Sequence, residues 1–149
     1  MKKTLHFETV IDAPRKVVWD TMLEPDSYRQ WTREFTEGSY FEGSWEKGER
    51  IRFLDPRGSG MSAEIAENNP QEFISVRHLG FIVDGVEDTE SEEIKAWAPA
   101  YENYRLSDAG KSTKVEVDID VTPEYEEMMS DSWPRALDML KSLSEGEAR

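Results

Sequence analysis

Residues 113–121, TKVEVDIDV, place an apolar residue at every odd number from 115 to 121 and a charged one at every even number from 114 to 120. Successive side chains of a strand point to opposite faces, so Val115, Val117, Ile119 and Val121 share one face while Lys114, Glu116, Asp118 and Asp120 share the other. A strand of this kind belongs to an antiparallel sheet with one wet face and one covered face. The segment that follows supplies the cover: Met129, Trp133, Ala136, Leu137, Leu140 and Leu143 recur at helical spacing. The helix is expected to start at Pro123 or Glu124 and bury Met129, Leu137 and Leu140. Pro134 falls inside the run, so either a bend at Trp133 and Pro134 or a break with Ser132 capping the second part is expected.

Upstream, LHFETVID (5–12) alternates as a strand, and Asp12 precedes Ala13 and Pro14 as a candidate helix cap. Val17, Val18, Trp19, Met22 and Leu23 give the helix an apolar stripe; Pro25 stops it before a second short helix around PDSYRQW. From Gly38 the pattern changes to strands: GSYFEGSW, GERIRFL, GMSAEIAE, EFISVRHLGFIV, AYENYRLS and TKVEVDIDV. Their separators, EKG, DPRGSG, ENNPQ and SDAGKS, are turn-sized and rich in Gly, Pro, Asn and Asp, which implies an antiparallel meander.

A chain of 149 residues is the size of one domain, and no linker or repeat divides it, so one domain over residues 1–149 is expected. Eighteen basic against thirty-two acidic residues leave a formal charge of -14, which repels nucleic-acid phosphates and anionic membrane surfaces. Neither is an expected partner. No apolar run is long enough to span a bilayer or form a signal peptide, so a cytoplasmic location is expected. With no cysteine, disulfides, thiolate metal sites and a cysteine nucleophile are excluded.

The order of strand, two short helices, six-stranded meander and long C-terminal helix resembles the helix-grip fold of the START-like, or SRPBCC, superfamily. IDAPRKVVWDTML, YRQWT, AEIAENNPQEFISVRH and WPRALDMLKSL resemble its branch of homologues of the activator of the heat-shock protein 90 ATPase. The resemblance implies an α+β fold of about six to seven antiparallel strands, curved, with two short helices and a long C-terminal helix enclosing an apolar cavity. It leaves function open, because such folds carry lipids, bind hormones, cyclise polyketides or act as chaperone partners. The activator's second domain is expected to be absent.

In that setting His78, one of two histidines, is the residue of interest. Ile74, Val76, His78, Gly80 and Ile82 share one face at period two, with Arg77 on the other. His78 therefore points into the space between sheet and helix, either to meet a ligand or as a core histidine satisfied by a neighbour. Parity nominates two partners: Glu67, on the row of Ala63 and Ile65, and Glu102, on the row of Tyr104 and Leu106. The alternative for each Glu is a bulged or terminal position open to water. Trp31, Trp45, Phe53, Met61, Phe81, Trp97, Tyr104, Met129 and Trp133 are expected near the cavity, although core packing alone also uses such residues. Gly80 and Ala63 are expected to leave room on the inward face.

DGVEDTESEE (84–93) carries six acids in ten positions and reads as a solvated loop, or as a flap over the cavity mouth that disfavours anions. No metal-binding spacing, phosphate loop, nucleophile elbow or dinucleotide fingerprint occurs, so no metal or cofactor is expected. The leading expectation is binding of a small apolar or amphipathic molecule. The alternatives are a cyclase- or hydrolase-type enzyme working through the inward His and Glu, and a module that acts on a chaperone.

Overall fold

In the computed structural model, which describes residues 2–148, the chain runs through β1 (Lys3–Ile11), α1 (Arg15–Leu23), α2 (Pro25–Thr32), β2 (Tyr40–Gly43) and β3 (Arg50–Leu54). There follow β4 (Gly60–Asn69), β5 (Phe73–Val83), β6 (Val86–Asp88), α3 (Glu92–Trp97), β7 (Ala100–Ala109), β8 (Ser112–Val121) and α4 (Pro123–Ala148). The strands form one antiparallel sheet in the order β1-β8-β7-β5-β4-β3-β2, with β6 added beside β5. This is the helix-grip fold that the element order implies, with one strand more than the sequence suggests.

β8 behaves as its alternation requires. Val115, Val117, Ile119 and Val121 are buried, and Glu116 and Asp118 sit opposite Glu8 and His6 of β1 on the wet face. α4 covers the apolar face, with Trp133, Ala136, Leu137 and Leu140 buried in the main core and Met129 half-buried against it. Pro134 does not break the helix, which is continuous over 26 residues. The proline is exposed, as is Ser130 four residues earlier, whose carbonyl loses the N–H that any other residue would supply. Ser132 is thus an interior, buried residue of α4 and caps nothing. Asp12 is not a cap either. Pro14 occupies the cap position of α1 with no side-chain bond, while the Asp12 amide donates to Glu145 (2.9 Å), joining the end of β1 to the last turns of α4.

Two bulges correct the inward rows. Between β4 and β5 the pairing passes from Ser62↔Gly80 to Ala63↔His78, so Leu79 is an extra residue on β5. Ile74, Val76 and His78 stay inward as parity requires, but beyond Leu79 the row is continued by Phe81, opposite Met61, and not by Gly80 or Ile82. Ile82 is buried outside the main core cluster. Gly80 leaves no room inside: a Cβ there would come within 2.2 Å of the Asp88 carbonyl oxygen, so the glycine lets the end of β6 lie against β5. The second bulge passes from Ile65↔Val76 to Glu67↔Ser75, making Ala66 the extra residue. It turns Glu67 out and Asn68 in.

The acidic segment is not a plain loop. Val86–Asp88 pairs with Phe81–Val83, and Ser91 caps α3 by accepting from the Ile94 amide. Glu92 and Glu93 occupy the first turn of α3, where carboxylates suit the helix dipole. Charge density here marks a helix start.

Candidate functional site

α4 takes its main contacts from β1, α1 and α2, and none of comparable extent from β3, β4 or β5. The middle of the sheet is therefore covered at a distance, and a cavity of about 390 Å³ lies beneath. Its floor includes Phe53, Met61, His78, Phe81, Glu102 and Tyr104 from the sheet. α2 and the residues after it contribute Tyr28, Trp31, Thr32 and Phe35, and α4 contributes Tyr125, Met128, Met129, Ser132 and Trp133. Val83, Tyr125 and Met128, all solvent-exposed, form an apolar rim at the open end.

Eight of the ten residues singled out from the sequence lie on this lining: His78, Trp133, Met129, Tyr104, Trp31, Phe53, Met61 and Glu102. Two do not. Glu67 is turned outward by the Ala66 bulge and pairs with Lys47 at 3.2 Å, its side chain 57% exposed. Trp45 stands behind the wall: its indole N–H donates to the Leu23 carbonyl (3.0 Å), and its ring packs on Phe41 and Phe53. Ala63 is fully buried in the main core and offers the cavity no room. Phe81 and Trp97 also line the space; Trp97 arrives on α3, which the sequence reading did not place. Tyr28 was missed altogether. Its spacing to Trp31, Thr32 and Phe35, three, four and seven residues on, is the helical signal that could have found it.

The polar centre is compact. His78 Nε2 lies 3.0 Å from a Glu102 carboxylate oxygen, and the Tyr104 hydroxyl donates to the other oxygen of the same group. The pairing follows from register, since His78, Val76 and Ile74 stand opposite Ala100, Glu102 and Tyr104 and so share the inward face. The imidazole is stacked on Trp97 (5.5 Å between centroids, 28° between planes) and meets the Phe53 ring edge-on (5.7 Å). His78 is 3% exposed, and its Nδ1, also buried, has no hydrogen-bond partner among the described residues. Burial pushes the phenols of Tyr104 and Tyr28 well above the usual tyrosine range, and the Glu102 charge adds to the effect on both. Both phenols are therefore neutral near pH 7, and that of Tyr104 gives its proton to the bond with Glu102.

Glu102 is about one-fifth exposed, so a molecule in the cavity can reach it. An ionised carboxylate offers about four lone-pair sites, of which His78 and Tyr104 take two. Chemically the site can accept hydrogen bonds from a guest, hold its apolar body among rings, or pass a proton between imidazole and carboxylate.

A second polar cluster occupies the wet face, where ligand atoms of His6, Glu8 and Glu116 lie within 4.8 Å of one another. Both ring nitrogens of His6 are already engaged, by Asp118 (2.6 Å) and Glu8 (3.0 Å), and Lys114 stands 3.6 Å from Glu8. Those neighbours already satisfy it.

The profile of the family described as "Activator of Hsp90 ATPase homolog 1-like protein" matches residues 12–145. The chain belongs to that family. Similar solved structures include the Aha1 dimer of Colwellia psychrerythraea, at 15% identity and TM-score 0.73 over 96% of each chain. Protein MLL2253 of Mesorhizobium loti is 14% identical over 95% of this chain and 96% of its own, with a TM-score of 0.72. CalU16 of Micromonospora echinospora is 18% identical over 98% of this chain and 78% of its own, with a TM-score of 0.68. At such identities the likeness is one of fold. No curated protein matches the chain in sequence. Among the described residues no helix is long and apolar enough to cross a membrane.

Proposed function

We propose that this member of the activator-homologue family binds a small apolar or amphipathic molecule between the sheet and α4. The observation that carries the reading is the His78–Glu102–Tyr104 centre set inside an aromatic cavity of about 390 Å³. Ligand sites combine apolar walls with a few convergent polar groups, and typical ones begin at about 300 Å³. A core evolved only for packing gains nothing from a carboxylate held among aromatic rings, whose desolvation is costly. An orienting contact to a guest offsets that cost.

The test is binding of a neutral apolar dye such as Nile red, followed by its fluorescence, in the parent and in Met129→Trp. Met129 lies on the α4 side of the cavity and is half-buried, so an indole there fills space without an overpacked core. Saturable binding that weakens at least about tenfold in the variant, roughly 1.4 kcal/mol, is expected. Equal binding by both proteins, or none by either, would refute the reading.

The same centre supports a second reading, proton transfer on the bound molecule, because the imidazole and the carboxylate are in hydrogen-bond contact inside the cavity. Turnover of a cavity ligand with a bell-shaped pH profile that collapses in His78→Ala would favour it. Unaltered recovery of every ligand would remove it.

A further inference from the structure

We infer that the cavity selects amines, molecules with an apolar aromatic or aliphatic body and a cationic nitrogen that bonds to Glu102, and rejects carboxylates of the same shape. The inference rests on the cavity reading above and specifies its chemistry.

Three observations converge. Among the described residues of the lining there is no Lys or Arg, whereas three carboxylates, Asp55, Glu102 and Asp120, belong to it. All three are engaged by the chain itself. Asp55 accepts from the amides of Arg57 (2.8 Å) and Ser59 (3.0 Å), with the Arg57 guanidinium 3.8 Å away on the solvent side. Asp120 accepts from the Thr4 hydroxyl (2.7 Å) and the Tyr101 amide (3.0 Å). Glu102 is held by two side chains that themselves line the cavity, His78 and Tyr104, and those two hydrogen bonds leave lone-pair sites over.

The second observation concerns what the guest must supply. The group that a guest can reach is the Glu102 carboxylate, which lines the cavity and is about one-fifth exposed, whereas His78 Nδ1 is sealed off. The carboxylate sites not taken by His78 and Tyr104 call for a donor. An ammonium group brings three donors and a charge, an alcohol brings one, and a carboxylate brings none. A charge-assisted bond is roughly twice as strong as a neutral one, and more so away from bulk water.

The third is the wall. Aromatic faces carry the negative part of the ring quadrupole, which attracts a cation and repels an anion. Trp97 and Phe53 flank the imidazole beside Glu102, so a cation there meets rings and a carboxylate together. The formal charge of -14 adds a long-range field of the same sign.

Three probes with one ring system separate the possibilities: 2-(2-naphthyl)ethylamine, 2-(2-naphthyl)ethanol and 2-naphthylacetate, titrated calorimetrically into the parent and into Glu102→Gln. The amine is expected to bind at least about tenfold more tightly than the alcohol and the acetate weakest, with the amine's advantage shrinking in high salt. In Glu102→Gln that advantage should fall below about threefold. Should the variant not fold, as its thermal transition would reveal, the ranking and salt dependence in the parent decide. Acetate binding as tightly as amine, or an amine preference that survives in folded Glu102→Gln, overturns the charge assignment and leaves the cavity reading standing. No binding of any probe at millimolar concentration overturns both.

Discussion

Replacing Glu102 with Ala removes one carboxylate and strands two donors. His78 is 3% exposed and Tyr104 5%, so neither Nε2–H nor the phenol has an easy route to water. An unsatisfied buried donor costs about 1–3 kcal/mol, which sets an upper bound of about 6 kcal/mol for the pair. Two terms reduce it. The Glu102 side chain is 21% exposed and borders the cavity, so water can follow the lost carboxylate and bond to at least one donor. The parent also bears the cost of holding that carboxylate in a partly desolvated site, and among the described residues no Lys or Arg pairs with it, so the substitution relieves that cost. A net destabilisation of about 1–3 kcal/mol remains, read as a shift of the urea midpoint at constant slope. Joining Glu102→Leu to His78→Leu should cost less than the sum of the two singles, because both members of the bond then become apolar together, with a coupling of about 0.5–3 kcal/mol. Additive effects, or a Glu102→Ala variant within about 0.5 kcal/mol of the parent, would show that the centre is solvated and refute the geometry on which the site rests.

Four further outcomes are expected. Leu137→Ala, which opens a gap between α4 and the core at a residue 3% exposed, should cost about 2–5 kcal/mol in the same urea assay; an unchanged midpoint would mean that α4 does not pack there. Ala63→Phe should destabilise by about 1–3 kcal/mol or more, because Ala63 is enclosed by the core; a folded, equally stable variant would place Ala63 on the cavity after all. Gly80→Ala should detach β6, since its methyl would meet the Asp88 carbonyl, and amide exchange at Val83 and Val86 should lose protection while β8 keeps its own. His6 has its pKa raised, first by the hydrogen bond to Glu8 and then by that to Asp118, so its contribution is full below the unfolded value of 6.5 and is lost as pH rises through the higher folded value. With the ring about half exposed and Glu116 and Lys114 nearby, this is worth at most about 1 kcal/mol, and His6→Gln should remove that part of the pH dependence.

Much of the fold was legible because its signals are local and periodic. The alternation of Val115 to Val121 and the helical recurrence from Trp133 to Leu140 each need only neighbours along the chain. Parity also joined His78 to Glu102, since the two strands keep register over Phe73–His78. Parity failed where a residue was inserted. Leu79 and Ala66 are bulges that no composition marks, and each reverses the faces beyond it, replacing Gly80 and Ile82 with Phe81 and sending Glu67 to Lys47. The acidic stretch hid β6 and α3 because its charges suit a solvated loop and a helix's first turn equally well. Trp97, stacked on His78, could not be placed until α3 was known.

The central claim, a ligand space between sheet and α4, is tested most directly by methyl NMR of methionine-labelled protein titrated with 2-(2-naphthyl)ethanol. Met61, Met128 and Met129 line the space, whereas Met22 is sealed in the core and Met139 lies on α4 outside the lining. Ring currents from a naphthyl group in the cavity should shift the first three methyls together, saturably, and leave Met22 and Met139 in place. Three unmoved methyls at saturating probe, or shifts confined to Met22 or Met139, would contradict it.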